Sequence, residues 1–443
     1  MLHAFNAATG AELFAYVPGA LSAATLATLA SADYGHAYFV DGPLVVSTQK
    51  QTSARNVLVG ALGRGGKGLY ALDVTRPAAI AKSDVLWEAT ETPGGNLGKI
   101  LGKPFIARLN NGVVALVTGN GVNSSTGHAV LLVYNLLTGA LIRELDTGSG
   151  GTTSATSNGL FAPSGWDQDS SGTVDYVYAG DLKGQVWKFD LSASTAASWS
   201  VGNGAKALFS ATDASGTAQP ITGGVALAEN PSTLDTWVFF GTGRYLLDSD
   251  INDLSVQALY GVIDGGATVA RSALTQRAIV ASGTVSGYSV RSFQANAALP
   301  SGSKGWYLNL LTAAGVAEGE RIVSAPQLSG KTLVVSSIIP SGDACQSDGS
   351  GYLNSLDAFT GTSTAGGSYF DLNANGSTAD DTLSVGGSAV AVGSVAVTSG
   401  MVGLASLLNG KAVVGDSSGA TTAIATSTIS ASRVSWREAL KEK

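Results

Sequence analysis

The sequence predicts an all-β protein, built as a seven-bladed β-propeller. Two observations lead to this fold class. The composition is rich in Gly, Ser and Thr and poor in charge, with 58 Gly and 13% charged residues in 443, which is typical of a secreted β-protein. In addition, one strand-and-turn pattern returns seven times along the whole chain. We therefore expect a single propeller domain over residues 1–443.

The repeated pattern is an alternating apolar strand that ends in Asp or Asn and runs into a short turn, often containing Thr-Gly. The seven Asp or Asn residues are Asn6, Asp73, Asn135, Asp190, Asp264, Asn309 and Asp357. They recur at intervals of 45 to 74 residues, and a four-stranded blade takes roughly 40 to 50. Each Asp or Asn can bond the turn backbone two residues on, while Gly closes the hairpin with a positive φ. We interpret each copy as an outer blade hairpin; the alternative is seven unrelated hairpins of two β-sandwiches.

Closure of the ring requires the two ends of the chain to share a blade. The chain starts in a hairpin over residues 2–17 and ends in four strand-like runs at 401–404, 411–414, 421–425 and 433–436. We predict that these last strands complete the blade that residues 1–17 begin.

Composition excludes several classes of function. The net charge of −7 and the pI near 5.0 leave no basic surface for nucleic acid or an anionic membrane. The single Cys345 excludes an internal disulfide and a Cys-based zinc site, and three His are too few for most transition-metal sites. No apolar run is long enough for a transmembrane helix, and residues 20–30 suit a short helix or loop better than a signal peptide.

The most informative segment is Asp167-Gln-Asp-Ser-Ser-Gly-Thr-Val-Asp175. Its oxygen donors follow the spacing of an EF-hand calcium loop, with a glycine at position 6 where the chain turns sharply. The predicted ligands are the side chains of Asp167, Asp169, Ser171 and Asp175 and the carbonyl of Thr173. Position 12 is Tyr178, in a predicted strand at 176–179, so the helices and the bidentate Glu of an EF-hand are missing; Asp181 or a water is a candidate to complete the shell.

A metal-free turn is the alternative for this loop, because Asp and Ser side chains commonly bond nearby backbone N–H groups. Three carboxylates within nine residues repel one another unless a cation neutralises them, whereas a turn needs only one or two. The charge pattern therefore favours calcium.

With these motifs, the chain resembles the C-terminal domain of the PilY/PilC-type pilus-associated adhesins of bacterial type IV pili. The residues that carry the resemblance span nearly the whole chain: 1–10, 38–42, 63–73, 119–124, the calcium loop through 178–181, 240–246, 305–308, 319–321 and 433–437. The resemblance implies a quinoprotein-like propeller, exported to the cell surface, outer membrane or pilus tip of a Gram-negative bacterium. It implies partners among minor pilins or the tip complex, and a host-cell surface as a further partner.

The resemblance also implies a function. The loop at 167–175 would bind Ca²⁺ and thereby regulate pilus extension against retraction, hence twitching motility, and the domain would support surface adhesion. Family members carry a large N-terminal region with a von Willebrand-like adhesive module, which this sequence lacks. Ser171 stands where the family often has Asp, which predicts weaker calcium binding.

A second loop, residues 371–381, again places oxygen side chains at positions 1, 3 and 5 and Gly376 at position 6. It resembles another calcium loop of the family, with Asp371, Asn373, Asn375, Ser377 and Asp381 as the predicted ligands. An Asn-rich turn without metal is the alternative, since two ligands are neutral and Asp380 competes with Asp381 for the last position.

Two other functions fit a propeller. Pyrroloquinoline-quinone dehydrogenases share Asp-x-x-Thr-Gly hairpins, but many carry a vicinal Cys pair, and no acid–base constellation emerges from this sequence, so we predict no enzyme activity. Residues 63–68 lack the spacing of a phosphate-binding loop and precede a strand. A lectin or receptor-binding module remains open, with Trp166 beside the calcium loop as a candidate contact. The preferred interpretation of Trp166 is that it packs under the loop and positions it.

Overall fold

The computed structural model of the chain describes residues 1–342, 349–408 and 410–427. It divides into two compact units, one formed by Met1–Arg244 with Val262–Leu274 and the other by Tyr245–Gly261 with Thr275–Lys443. Both consist mainly of β-strands. Helices are short: α1 covers Ala23–Ala27, where the sequence predicted a short helix or loop, and Gly202–Ala205 is a single turn. No helix in the described ranges is long and apolar enough to cross a membrane.

The first unit consists of a hairpin followed by antiparallel sheets whose strands follow chain order. The hairpin strands are β1 (Leu2–Phe5) and β2 (Glu12–Tyr16); the first sheet has β3 (Leu44–Val46), β4 (Val57–Ala61), β5 (Gly68–Asp73) and β6 (Val85–Thr90); the second has β7 (Phe105–Arg108), β8 (Val114–Gly119), β9 (His128–Asn135) and β10 (Leu141–Gly150). The third sheet has β11 (Ser164–Trp166), β12 (Tyr176–Gly180) and β13 (Gln185–Asp190), with β14 (Ser200–Val201) and β15 (Phe209–Ser210) both paired to β13; β16 (Val225–Glu229) pairs with β17 (Thr236–Gly241).

Successive sheets pack face to face, and this explains why their central strands are apolar on both sides. In β9, Ala129, Leu131 and Val133 belong to a buried cluster shared with β12 and β13 of the third sheet. The alternate residues Val130, Leu132 and Tyr134 belong to a second cluster shared with β4 and β5 of the first sheet. The hairpin packs on the other face of that first sheet, through Leu2 against Tyr70 and Leu72.

The second unit begins at Tyr245 and includes the first four residues of β18 (Ala258–Ile263), whose last two residues belong to the first unit. Its remaining strands are β19 (Thr275–Arg277), β20 (Ile279–Val285), β21 (Tyr288–Phe293), β22 (Gly305–Asn309), β23 (Gln327–Ser329), β24 (Thr332–Pro340), β25 (Gly349–Asp357), β26 (Thr382–Val385), β27 (Ser388–Ala391), β28 (Ser394–Val397), β29 (Ser406–Leu408), β30 (Lys411–Gly415) and β31 (Thr421–Ala425). Six of them form one sheet in the order β20-β21-β28-β25-β24-β23. β26 pairs with β27, and β29, β30 and β31 form a three-stranded sheet.

The turn chemistry predicted for the repeated pattern is confirmed at six of its seven copies. The side-chain Oδ1 of Asn6, Asp73, Asn135, Asp190, Asp264 and Asp357 accepts the backbone N–H two residues further on, at 2.9–3.0 Å. In the first two complete sheets the pattern ends the third strand, β5 or β9, and leads into the fourth. The copies at Asn6, Asn135 and Asp357 close with a left-handed glycine, at Gly10, Gly139 and Gly361. At β5 and β9 the pattern is thus an outer hairpin, as the sequence predicted. At Asp357 it is not, because β25 pairs with β24 and β28 and not with the next strand, β26.

One expectation about the repeat is wrong. The fifth and sixth copies end β18 and β22, and these strands belong to the same sheet. The rings of Tyr260 and Tyr307 lie 6.0 Å apart, and the N–H of Leu310 donates to the carbonyl of Gln257 at 2.8 Å. Seven copies therefore do not correspond to seven separate sheets, and the blade count of seven stays a prediction.

The predicted C-terminal strands are found in part. β30 and β31 lie where the sequence placed them, but the run at 401–404 has only an isolated bridge from Val402 to Asp416, and the strand forms later as β29. Cys345 and the run at 433–436 lie outside the described residues. The hairpin β1–β2 and the sheet β29–β31 are separate sheets in the described ranges. Ring closure and the single domain stay predictions.

Candidate metal centre

The loop at 167–175 connects β11 to β12, two neighbouring strands of the third sheet. These strands pair with Trp166 opposite Tyr176, so residues 167–175 form the tip of a hairpin. The N–H of Asp175 donates to the carbonyl of Trp166 at 2.9 Å and closes the base of the tip. The predicted strand at 176–179 is confirmed, because β12 begins at Tyr176.

Three carboxylates converge at this tip. Asp167, Asp169 and Asp175 each offer an oxygen, and these atoms lie within 4.8 Å of one another. In the described ranges this is the one group of three or more acidic, His or Cys side chains so placed. Asp169 is exposed, Asp167 is half-buried, and Asp175 is only 7% exposed. A hard cation that prefers oxygen ligands would relieve the repulsion among them.

The backbone of the loop wraps around the first carboxylate. Asp167 accepts the N–H of Ser171 at 3.0 Å and that of Gly172 at 2.7 Å, one on each oxygen. Asp169 also accepts the Ser171 N–H, at 2.9 Å. Hydrogen bonding by the Ser171 side chain and N–H holds the pKa of the Asp169 carboxyl below its usual range. The carboxylate is therefore ionised at neutral pH, as a metal ligand must be.

The two hydroxyl-bearing residues of the loop are linked to each other and to the neighbouring sheet. Ser171 Oγ and Thr173 Oγ1 are 2.7 Å apart, and the Thr173 hydroxyl donates to Asn110 Oδ1 at 2.8 Å. The Thr173 hydroxyl is thus engaged away from the carboxylates, which is consistent with a contribution through its carbonyl.

Gly172 has a φ of 88°, in the left-handed region that the sharp turn at position 6 requires. A Cβ at this position would meet no heavy atom within 4 Å. The constraint on this position therefore lies in the backbone angle and not in the space available to a side chain.

Asp181 does not complete the ligand shell. It follows the opposite end of β12, five residues of strand away from the loop, which is ~17 Å at the usual rise per residue. Asp181 is fully buried and accepts the indole N–H of Trp187 at 2.9 Å, the amide of Asn158 at 2.8 Å and two backbone N–H groups. It is a structural residue of the β12–β13 turn.

Trp166 lies at the base of the loop, in agreement with the preferred interpretation of its sequence position. It is half-buried, and its indole N–H donates to the Gln168 side chain at 3.0 Å. Its carbonyl accepts the N–H of Asp175, so it anchors the base of the loop.

Two other turns show what the Asp-x-Ser-Gly sequence does without further acids. Asp213 and Asp416 start such turns, and in each the Asp Oδ1 accepts the N–H groups two and four residues on, at 2.8–3.1 Å. The turn at Asp169 differs, because the N–H four residues on, that of Thr173, donates to Ser171 Oγ at 3.3 Å and not to Asp169. The loop at 167–175 therefore lacks one of the hydrogen bonds of an ordinary Asp-x-Ser-Gly turn, and it has two further carboxylates, those of Asp167 and Asp175.

The second loop repeats the backbone hydrogen bonding of the first. Asp371 accepts the N–H groups of Asn375 and Gly376 at 3.1 and 2.9 Å, and Asn373 accepts that of Asn375 at 3.1 Å. In both loops the residues at positions 4 and 6 have a positive, left-handed φ. This angle is 58° at Ser170 and 88° at Gly172 in the first loop, and 55° at Ala374 and 84° at Gly376 in the second. The similarity predicted from spacing extends to three-dimensional structure.

The acidic residues of the second loop are arranged differently. Asp380 accepts the side-chain amides of Asn373 and Asn375, both at 2.9 Å, so its charge is partly compensated. Asp381 is fully buried, and neither of its carboxylate oxygens accepts a hydrogen bond of normal geometry from any residue that the structure describes. Burial raises the pKa of Asp381; the Leu372 N–H lowers it in part, and the charges of Asp380 and Asp371 raise it again. A buried carboxylate without a partner is stable only when protonated or bound to a cation, and the donor set fits a hard cation.

The residue that the sequence did not reveal is Asn110, in the turn between β7 and β8. Its side chain contacts Thr173, Val174 and Asp175. Asn-Asn-Gly is an ordinary turn sequence, so it gives no indication that Asn110 contacts a loop more than sixty residues further along the chain.

Comparison with known proteins adds the family. Residues 1–284 match the model of the PilY1 beta-propeller domain. The chain belongs to the PilY1 family. A PilY1 homologue of Xylella fastidiosa is 38% identical over the whole of this chain and 34% of its own length, and PilY1 of Pseudomonas aeruginosa strain PAO1 is 35% identical over 85% of this chain and 35% of its own. Both are named type IV pilus biogenesis factors, and this chain spans about a third of their length.

The PilY1 fold is confirmed by a solved structure. The crystal structure of the P. aeruginosa PilY1 C-terminal domain superimposes with a TM-score of 0.78, covering 96% of this chain and 90% of that one at 31% identity. The all-β propeller class and the family predicted from the sequence are therefore confirmed.

Proposed function

We propose that this chain is the calcium-binding propeller domain of a type IV pilus biogenesis factor and that it has no enzyme activity. The observation that carries the calcium part is the convergence of Asp167, Asp169 and Asp175 within 4.8 Å. Ca²⁺ takes six to eight oxygens at ~2.3–2.6 Å, and three carboxylates, Ser171 and the Thr173 carbonyl supply most of them. The pilus part rests on the relatives, which are named type IV pilus biogenesis factors.

We further propose that the second loop binds Ca²⁺ through Asp371, Asn373, Asn375, Ser377 and Asp381. The buried, unpartnered carboxylate of Asp381 supports this assignment and favours Asp381 over Asp380 as the last ligand. With two carboxylates where the first loop has three, this site has the lower charge and is expected to be weaker.

In the proposed biological role, calcium at residues 167–175 changes a surface that a minor pilin or tip complex contacts, and so regulates pilus extension against retraction. The domain would act at the cell surface, outer membrane or pilus tip and support adhesion, including to host cells. An ion can shift such an equilibrium only by its difference in affinity for the two states.

Isothermal titration calorimetry tests both sites in one design. The native domain is expected to bind two Ca²⁺, Asp175→Asn to lose the tighter site, and Asp381→Asn to lose the weaker one. Asp213→Asn is the matched control, because Asp213 starts a similar Asp-x-Ser-Gly turn outside both loops, and it is expected to bind as the native domain does. Absence of binding to the native domain, or unchanged binding by Asp175→Asn, would reject the calcium assignment.

The regulatory role is tested in cells. A strain carrying Asp175→Asn in the full-length protein is expected to differ in surface pilus number and twitching from one carrying Asp213→Asn. Equal behaviour of the two strains, with equal amounts of protein, would reject regulation through this loop while leaving calcium binding intact.

A further inference from the structure

Asn110 joins the calcium loop to the preceding sheet. It lies in the turn between β7 and β8, whereas the loop belongs to the sheet of β11, β12 and β13. The Asn110 Oδ1 accepts the Thr173 hydroxyl at 2.8 Å, and its Nδ2 donates to Asp175 Oδ1 at 3.0 Å. The same nitrogen also faces the carbonyls of Val174 and Leu191, at 3.1 and 3.3 Å. One amide thus contacts three consecutive residues of the loop.

The orientation of this amide follows from the chemistry of its partners. A carboxylate and two carbonyls only accept hydrogen bonds, so the NH₂ must face them and the amide oxygen must face the hydroxyl. An anionic or purely accepting side chain cannot replace Asn here, because it would repel the Asp175 carboxylate, and a cationic one would offer the Thr173 hydroxyl no acceptor. The position therefore requires both a donor and an acceptor.

The turn that carries Asn110 does not need this side chain for its own structure. The turn is closed by the Gly112 N–H donating to the Leu109 carbonyl at 2.9 Å, and by the Val113 N–H donating to the side chain of Asn111 at 3.1 Å. The Asn110 side chain instead bonds to residues outside the turn, in the loop at 167–175 and at Leu191. Asn111 is consequently a matched control in the same turn.

Backbone contacts next to Asn110 strengthen the connection. The N–H of Val174 donates to the Arg108 carbonyl at 3.1 Å, and Val174 forms a parallel bridge with Leu109, which is fully buried. The last three residues of the calcium loop are therefore held by the β7–β8 turn as well as by their own sheet.

Asp175 is the ligand most affected by this arrangement. Its Oδ1 accepts from Asn110 and its Oδ2 accepts the Gln168 N–H at 2.8 Å, so each oxygen keeps one free lone pair for an ion. Fixing both oxygens fixes the direction of those lone pairs. Partners that orient metal ligands in this way typically change metal affinity 10- to 100-fold when they are removed.

We propose that Asn110 is the positioning residue of the calcium loop, orienting Asp175 for the ion and transmitting occupancy of the loop to the β7–β8 turn. This inference rests on the proposed calcium site and assigns it a route into the neighbouring sheet. Calcium binding at 167–175 then restricts the motion of residues 108–113, and removing the amide both weakens binding and uncouples that turn.

The test combines calorimetry with hydrogen exchange on the whole chain. Asn110→Ala is expected to bind Ca²⁺ at the first loop about tenfold more weakly, while Asn111→Ala stays within about twofold of the native affinity. In the native domain and in Asn111→Ala, Ca²⁺ is expected to slow amide exchange at both 167–175 and 108–113. In Asn110→Ala, at Ca²⁺ concentrations that saturate the loop, protection is expected at 167–175 alone.

A second variant covers the case in which Asn110→Ala does not fold. Thr173→Val removes the hydroxyl bonded to Asn110 but keeps the Thr173 carbonyl, and it is expected to weaken binding about threefold and to reduce protection at 108–113. If the native domain does not bind Ca²⁺, the proposed function fails. If it binds, but Asn110→Ala or Thr173→Val shows native affinity and native protection at 108–113, the calcium site stands and the role of Asn110 is overturned.

Discussion

At the scale of single residues, the positive φ of Gly172 should make any other residue at this position destabilise the folded protein. A non-glycine residue in the left-handed region is ~1–2 kcal/mol higher in conformational energy than in the right-handed region. Because a Cβ at Gly172 would meet no atom within 4 Å, Gly172→Ala isolates this cost from any clash. We expect Gly172→Ala to lower the free energy of unfolding by about 1 kcal/mol without calcium.

The control for this substitution is Gly265→Ala. Gly265 also has no heavy atom near its missing Cβ, but its φ lies outside the left-handed region. Gly265→Ala should change the free energy of unfolding by no more than about 0.5 kcal/mol. Urea denaturation in the presence of a chelator measures both, and an equal effect of the two substitutions would contradict the backbone explanation.

Asp264 is a second residue with a measurable electrostatic effect. Its carboxylate is 3% exposed and accepts Lys188 Nζ at 2.7 Å and the Tyr178 hydroxyl at 2.6 Å. Burial alone would raise the pKa of Asp264, but bonds from Lys188, Tyr178 and Gly266 outweigh it and hold the pKa below its ordinary 3.8. A carboxyl whose pKa is lower in the folded state stabilises the protein above the unfolded-state pKa, and this contribution is lost as pH falls through the folded-state pKa.

We therefore expect Asp264→Asn to destabilise the protein by about 3 kcal/mol at pH 7, since it leaves Lys188 without its counter-charge. The difference from the native protein should shrink as the pH falls below about 4. Urea denaturation of both proteins at pH 7 and pH 3 measures this, and a parallel loss of stability in the two would show that Asp264 is not the titrating group.

At the scale of secondary-structure elements, the Asp or Asn of the repeated pattern stabilises the turn that follows its strand. At Asn135 the side-chain Oδ1 accepts the N–H of Leu137 at 3.0 Å and of Thr138 at 3.1 Å, and Gly139 follows in the left-handed region. These bonds direct the chain from β9 into β10. We expect Asn135→Ala to cost about 1 kcal/mol, because two turn N–H groups lose their acceptor.

Asn135→Asp is the matched control, since it keeps the accepting oxygen, and it should stay within a few tenths of a kcal/mol of the native protein. Chemical denaturation monitored by tryptophan fluorescence compares the three proteins. If Asn135→Asp is as unstable as Asn135→Ala, the hydrogen bonds at this turn are not what stabilises the hairpin.

What the sequence could predict was local in nature. Donor spacing and glycine position within nine residues determine which oxygens of the loop at 167–175 meet, and the structure brings the three carboxylates together as expected. Turn chemistry at the repeat is local in the same way. Asn110 could not be found, because its contacts depend on how two sheets pack, and packing leaves no spacing signal in one sequence.

Strand pairing was the other limit of prediction. The fifth and sixth repeats look alike as sequences, yet β18 and β22 share a sheet, because an apolar strand does not encode its neighbour. The run at 401–404 is also apolar, but there only Val402 forms a bridge, while pairing with β30 selects Ser406–Leu408.

At the scale of the whole molecule, the core and the chemistry are separated. In the first unit the central strands are buried on both faces between neighbouring sheets, and the converging carboxylates lie outside these strands, in a loop. The loop at 167–175 lies in one compact unit and the loop at 371–381 in the other. Calcium is therefore expected to stabilise the chain at two independent places.

A ligand that binds only the folded state stabilises it by ~2.7 kcal/mol at one hundred times its dissociation constant. We expect saturating Ca²⁺ to raise the free energy of unfolding by about this amount for each occupied loop. Asp175→Asn should lose the contribution of the first loop and keep that of the second, and Asp381→Asn should do the reverse.

Denaturation with calcium, with magnesium and with a chelator measures these contributions. Mg²⁺ should stabilise less than Ca²⁺, because it requires octahedral geometry and gives up its water reluctantly, whereas these loops offer irregular oxygen donors. The double variant Asp175→Asn/Asp381→Asn should show no calcium dependence. If calcium still stabilises the double variant, the ion binds outside the two loops, and neither converging carboxylates nor the buried Asp381 explains its effect.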